Sequence, residues 1–185
     1  MSLAAALFQQ GRCDKAAALA TKVLEMRQRS WGKKNLYTMK SRVAIGMIYH
    51  QQGRYDEAEA AYNEVLRLQT QGSELEITTR PLIVGCLAWT YYMQGRYEEA
   101  EVQLDISWTL HRKLQGVEHP DTLQALHHFA VIVHLNGRPH RGIELMQSCV
   151  EMRRTVLGFA HPLTNVSTLL LEEWKAEERD SQATE

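Results

Sequence analysis

The chain has 185 residues, 44% hydrophobic and 23% charged, with 21 Lys+Arg against 22 Asp+Glu for a formal net charge of −1. This composition excludes a disordered chain, and the lack of a basic excess argues against a general nucleic-acid or membrane-surface binder. At such a length one domain is the default, burying roughly 70% of its unfolded surface.

Residues 3–8 form the longest early apolar run, too short to span a bilayer. No basic segment precedes it and it runs into Gln9-Gln10-Gly11-Arg12, so a secretory leader is rejected. From here the sequence repeats. Gly11-Arg12-Cys13-Asp14-Lys15-Ala16 returns as Gly53-Arg54-Tyr55-Asp56-Glu57-Ala58, then as Gly95-Arg96-Tyr97-Glu98-Glu99-Ala100. A worn copy follows at Gly137-Arg138-Pro139-His140-Arg141-Gly142, and each step is 42 residues. Gly116 and Gly158 keep the same period, as do His119-Pro120 and His161-Pro162.

Apolar spacing inside each period is helical. Ile45, Gly46 and Tyr49 make one stripe, repeated by Leu87, Ala88 and Tyr91 and by Phe129, Ala130 and Val133. A second stripe follows the Gly-Arg break: Tyr55, Ala58, Tyr62 and Val65, matched by Tyr97, Ala100, Leu104 and Ser107. Gly53 and Gly95 stop the first helix of each pair; Pro120 and Pro162 start later ones, and Asp121 adds charge to a first turn. Small residues at Ala16, Ala58, Ala100 and Gly142, facing Gly46, Ala88 and Ala130, let the paired helices cross closely. The repeats fall at about residues 2–30 (truncated), 37–72, 80–115 and 122–157, with a closing helix at about 164–176. They form one array over 1–176, and residues 177–185 read as a charged tail that frays.

Chemistry-bearing motifs are sparse. Cys13, Cys86 and Cys149 form no CxxC pair, which indicates a reducing, cytoplasmic setting. Asn165-Val166-Ser167 fits a glycosylation tripeptide but stands alone. His127 and His134 lie about 10.5 Å apart along a helix, too far for one metal ion, and there is no HExxH. Histidine still offers a pH-sensitive surface. Ile143 stands where a phosphate loop needs Lys, and GxGxxG and GxSxG are absent, so neither catalysis nor a cofactor is expected. Lys33-Lys34 and Arg153-Arg154 read as helix-end charges.

The run from Leu87 to Glu101, with Gln94-Gly95-Arg96-Tyr97 at its centre, resembles the tetratricopeptide repeat. The connector Leu114-Gln115-Gly116-Val117-Glu118-His119-Pro120-Asp121-Thr122, echoed at 157–164, is similar to the kinesin-light-chain subtype. The resemblance implies an all-α, right-handed superhelical solenoid of antiparallel helix pairs, whose concave face binds a peptide or protein segment as a scaffold or adaptor. The same subtype also forms sensor regions of larger nucleotide-dependent signalling proteins, which is the alternative reading. One departure matters. The inner-face Asn that holds a peptide backbone in that subtype is replaced here by Val43-Ala44, Gly85-Cys86 and His127-His128.

Carrying the inner-face positions over gives Lys40, Ala44, Met47, His50 and Gln51, then Cys86, Trp89, Tyr92 and Met93, then Gln124, His128, Val131 and His134. This aromatic, Met- and His-rich floor suits a hydrophobic or aromatic segment, with Trp89 and Tyr92 as anchors. A second copy of the chain in a homodimer is the alternative cover for that pair; neither nucleic acid nor a membrane is an expected partner.

Overall fold

The computed structural model describes residues 13–69 and 74–183, the side chains of 13, 74–78 and 181–183 apart. The opening of the truncated first repeat, including Gly11-Arg12, therefore lies outside the described residues, as do the end of the second repeat and the last two residues of the tail. Eight helices and no strands make up the described residues. They are α1 (Cys13–Trp31), α2 (Leu36–Gln51), α3 (Tyr55–Leu68), α4 (Glu74–Met93), α5 (Tyr97–Gln115), α6 (Pro120–Leu135), α7 (Pro139–Leu157) and α8 (Pro162–Ala183). The chain divides into two compact units between Arg96 and Tyr97.

In the N-terminal unit α2 packs against α1 and α3, and α4 packs against α3 and more lightly against α2. Ala16, Ala17, Ala20 and Leu24 of α1 close a core with Ile45 and Ile48 of α2. Gly53 ends the second helix with φ 73°, a left-handed conformation that a side chain would strain. The crossing of α2 and α3 depends on Gly46: a Cβ there would lie 2.6 Å from the ring of Tyr62, itself only 1% exposed. α4 starts at Glu74, earlier than the repeat boundary at about 80, so Pro81 falls within the helix, where its ring removes one backbone hydrogen bond.

In the C-terminal unit α6 packs against α5 and α7, and α8 packs against α7. Leu126, Ala130 and Val133 of α6 meet Met146, Cys149 and Val150 of α7 and Leu171 and Trp174 of α8. Trp108 of α5 stacks on Phe129 at 6.0 Å. The small position recurs as Gly142, where a Cβ would sit 2.5 Å from His134 Cβ and 2.8 Å from its Cα. α8 continues to Ala183, past the expected end near 176. Polar contacts hold it at and beyond that point: Lys175 Nζ, just before the expected end, donates to Gln147 at 3.1 Å, and within the extension Glu178 lies 2.5 Å from His140 Nδ1.

The Gly-Arg turns do more than interrupt a helix. Arg54 lies 4.2 Å over the ring of Tyr49, and Arg96 lies 4.0 Å over Tyr91, each arginine folding back on the helix just ended. Arg96 also donates to Glu59 at 2.7 Å, and Arg138 pairs with Glu101. Beside them Gln52 donates to Asp14, and Gln94 to Asp56, both at 2.8 Å. Each turn is thus fastened to the second helix of the preceding repeat.

A different fastening joins each outermost second helix to the next first helix. Arg27 reaches the Tyr37 carbonyl, ten residues on, at 3.1 Å, and Ser41 Oγ, fourteen residues on, at 2.6 Å. Arg153 repeats both spacings with the Leu163 carbonyl and Ser167 Oγ, each at 2.7 Å.

Candidate ligand-facing surface

Helix α2 buries Met39, Val43, Ile45, Gly46 and Ile48, which leaves Tyr37, Lys40, Ala44, Met47 and Gln51 as a continuous exposed stripe on the opposite side. On α4 the burial of Ile83, Val84, Leu87, Ala88 and Tyr91 leaves Leu82, Trp89, Tyr92 and Met93 outward, while half-buried Cys86 turns its thiol to Tyr62. Met47 is 40% exposed and Met93 50%. Trp89 and Tyr92 are half-buried, their rings edge to face at 5.7 Å.

One side chain ties these stripes together. His50 Nδ1 meets Thr90 Oγ1 at 3.1 Å, and because the Thr90 hydroxyl donates to the Cys86 carbonyl, His50 is the donor. Burial lowers the His50 pKa, so the ring is neutral near pH 7 and serves as a strut between α2 and α4. Below the stripe Tyr62 hydrogen-bonds Cys86, whose thiol is pushed up to about 11 by burial and so remains protonated.

The C-terminal unit offers a different chemistry. Gln124, His128 and Val131 of α6 are half-buried, and Val131 leans on the apolar core. Arg153, only 1% exposed, lies behind them: its Nη2 donates to Gln124 Oε1 at 2.8 Å and to the Leu123 carbonyl at 3.3 Å. With its oxygen so engaged, the Gln124 amide turns its Nε2 to His128 Nε2 at 2.7 Å. Ser167, which accepts from Arg153, also shares a hydrogen bond of 2.9 Å with His127 Nδ1. Burial, and then the charge of Arg153, pushes both His127 and His128 down to about 4. These histidines are neutral near pH 7 and titrate well below it. His134 stacks flat on Trp174 of α8 at 3.8 Å.

Of the residues expected on the binding face, Lys40, Met47, Gln51, Trp89, Tyr92 and Met93 thus share one surface of the N-terminal unit. His50 and His134 turn toward the following first helix, and Gln124 and His128 join the network around Arg153. The residues that sequence reasoning passed over are Tyr37 and Leu82, 55% and 50% exposed, which continue the two stripes. Leu82 was within reach, since it stands one 42-residue period after Lys40. Among the described residues no three His, Cys, Asp or Glu side chains are grouped to hold a metal ion.

The profile of a family described as tetratricopeptide repeat matches residues 1–71 and 82–158. No curated protein sequence matches the chain. Among solved structures, two of a Podosopora anserina protein, described as a kinesin light chain with nearly identical TPR-like repeats, are similar with TM-scores of 0.82 and 0.81. Both are 21% identical and cover 98% of this chain and 87% of theirs. BtubC (BKLC) from P. vanneervenii is similar with a TM-score of 0.78 at 17% identity, over 98% of this chain and 73% of its own. At these identities the likeness shows the fold, the all-α helix-pair fold of such repeats.

Proposed function

Because the chain belongs to the tetratricopeptide repeat family, whose repeats mediate protein–protein interaction, we propose that it binds a peptide or protein segment on the exposed faces of its first helices, as a scaffold or adaptor. The observation that carries this reading is the strip of Met47, Trp89, Tyr92 and Met93, held outward on α2 and α4 while the other sides of both helices fill the core. Large aromatic and sulfur-bearing side chains in such positions are the usual anchors of a protein interface. Lys40 and Gln51 frame the strip with polar groups that can meet a ligand backbone. His50, fastened to Thr90, fixes the spacing of the two helices, so the surface is preformed and little ordering entropy is lost on the receptor side.

The role is that of a binding module without catalysis or a cofactor. Its setting is the cytoplasm, supported by Cys86 and Cys149 as free thiols. No helix among the described residues is long and apolar enough to cross a membrane.

The test is affinity capture with the full chain beside Trp89→Ala/Tyr92→Ala and Met47→Glu/Met93→Glu, each checked by circular dichroism and thermal melting. Loss of the same direct partner from both folded variants supports the reading. Retention by both variants moves the interface elsewhere. The methionine pair matters because its side chains are exposed and its replacement leaves the core intact.

A further inference from the structure

Residues 26–40, where α1 passes into α2, contain Arg27, Arg29, Lys33, Lys34 and Lys40 and no acidic residue. The near-zero net charge of the whole chain conceals this segment, because an acidic excess elsewhere balances it. Arg27 is spent on Tyr37 and Ser41, while Arg29, Lys33, Lys34 and Lys40 are exposed. Among them stand apolar side chains that reach water: Met26 is 67% exposed, Trp31 55%, Tyr37 55% and Leu36 38%. The rings of Trp31 and Tyr37 lean together at 5.8 Å, making one ledge.

The repeat itself shows that none of this is needed to build the connector. Asn35 caps α2 by accepting from the Tyr37 N–H at 2.9 Å, and His119 and His161 do the same for α6 and α8 at 3.2 Å. The corresponding connectors carry Val117-Glu118 and Phe159-Ala160 where this one carries Lys33-Lys34, and Asp121 and Leu163 where it carries Tyr37. Glycine and cap are kept; Lys33, Lys34 and the Trp31–Tyr37 pair are additions at this connector.

We propose that the α1–α2 connector is an interfacial docking patch for an anionic lipid surface, with Trp31, Tyr37 and Leu36 seated at the headgroup level and Lys33, Lys34, Arg29 and Lys40 drawn to the lipid charge. Charge complementarity carries the choice of occupant: the four exposed cations outnumber the one exposed acid that flanks the segment, Glu25, and such a basic excess is the composition that anionic leaflets attract. The apolar members favour a bilayer over nucleic acid: tilted rings beside aliphatic Met26 and Leu36 suit a headgroup–acyl boundary, whereas base stacking requires open ring faces. Since no described helix can span a membrane, the chain lies on the surface. The patch is separate from the strip on α2 and α4, apart from Lys40 and Tyr37 at its border.

The experiment is co-sedimentation of the full chain with phosphatidylcholine vesicles and with phosphatidylcholine–phosphatidylserine vesicles at low and high salt. Binding should require phosphatidylserine and weaken with salt. Lys33→Gln/Lys34→Gln should reduce it about twenty-five-fold, roughly fivefold for each lysine removed, with an unchanged melt. Trp31→Ala should weaken it with the charge intact, and Met47→Glu/Met93→Glu should leave it unaltered, which separates this patch from the proposed binding strip. Equal binding to both vesicle types, no binding to either, or full retention by the lysine variant would overturn the proposal. So would preferential capture of a single-stranded oligonucleotide or of polyglutamate, which would assign the patch to nucleic acid or to an acidic protein segment.

Discussion

Gly46 and Gly142 occupy helix interiors, where glycine is normally inferior to alanine by about 1 kcal/mol. Alanine should therefore stabilise both sites, yet here its methyl would enter the Tyr62 ring or the His134 backbone. We expect Gly46→Ala and Gly142→Ala each to destabilise by about 1–3 kcal/mol in urea unfolding, the overpacking penalty reversing the propensity gain. A gain in stability would mean that the crossing relaxes freely. Arg153 presents the converse case, a buried cation whose two terminal nitrogens donate to two carbonyls and two neutral side chains, its Nε alone unpartnered. Arg153→Met should cost about 3 kcal/mol or more, because Gln124, Ser167 and both carbonyls lose a charged donor together. Arg27→Met removes only two bonds at a more exposed place and should cost clearly less. Equal losses would deny Arg153 its special role.

Helix pairs depend on small residues at their crossings, and Ala100, fully buried on α5, tests that dependence directly. Ala100→Trp should overpack the buried side of α5 and lower the melting temperature sharply; a near-wild-type melt would refute the assigned helix register. The packing of α6, α7 and α8 also has a pH dependence of defined sign. His127 and His128 are held at about 4 in the folded chain against an ordinary value of 6.5, so the unfolded chain binds more protons between those values. Stability should be full above about pH 6.5 and fall as the pH drops toward 4. Urea unfolding across this range checks it, and His127→Asn should flatten the profile. A flat wild-type profile would show that the imidazoles protonate without resistance. Alternation of buried and exposed positions was legible in the sequence, because helical period alone determines which side of an element is apolar. The course of α8 beyond residue 176 was not. A charged segment shows no apolar stripe, and its anchor, His140, belongs to another helix.

Across the whole molecule, two surfaces of different character emerge: an aromatic and methionine strip on first helices, and a basic aromatic ledge where α1 meets α2. The sequence by itself determined the 42-residue period, the helix pairs, the small crossing residues and the apolar stripe by which each first helix enters the core. Those properties repeat, and repetition exposes them without knowledge of contacts. Tertiary structure alone decided that His134 stacks on Trp174, that His50 links two first helices, and that Arg96 of a Gly-Arg turn returns to Glu59. It also turned Lys33-Lys34 from helix-end charges into part of a surface, by showing which apolar side chains stand beside them in water. The physical reason is common to all four. Periodicity reports how deeply a position is buried, whereas the partner a polar or aromatic group finds is set by packing between segments that lie far apart in the chain.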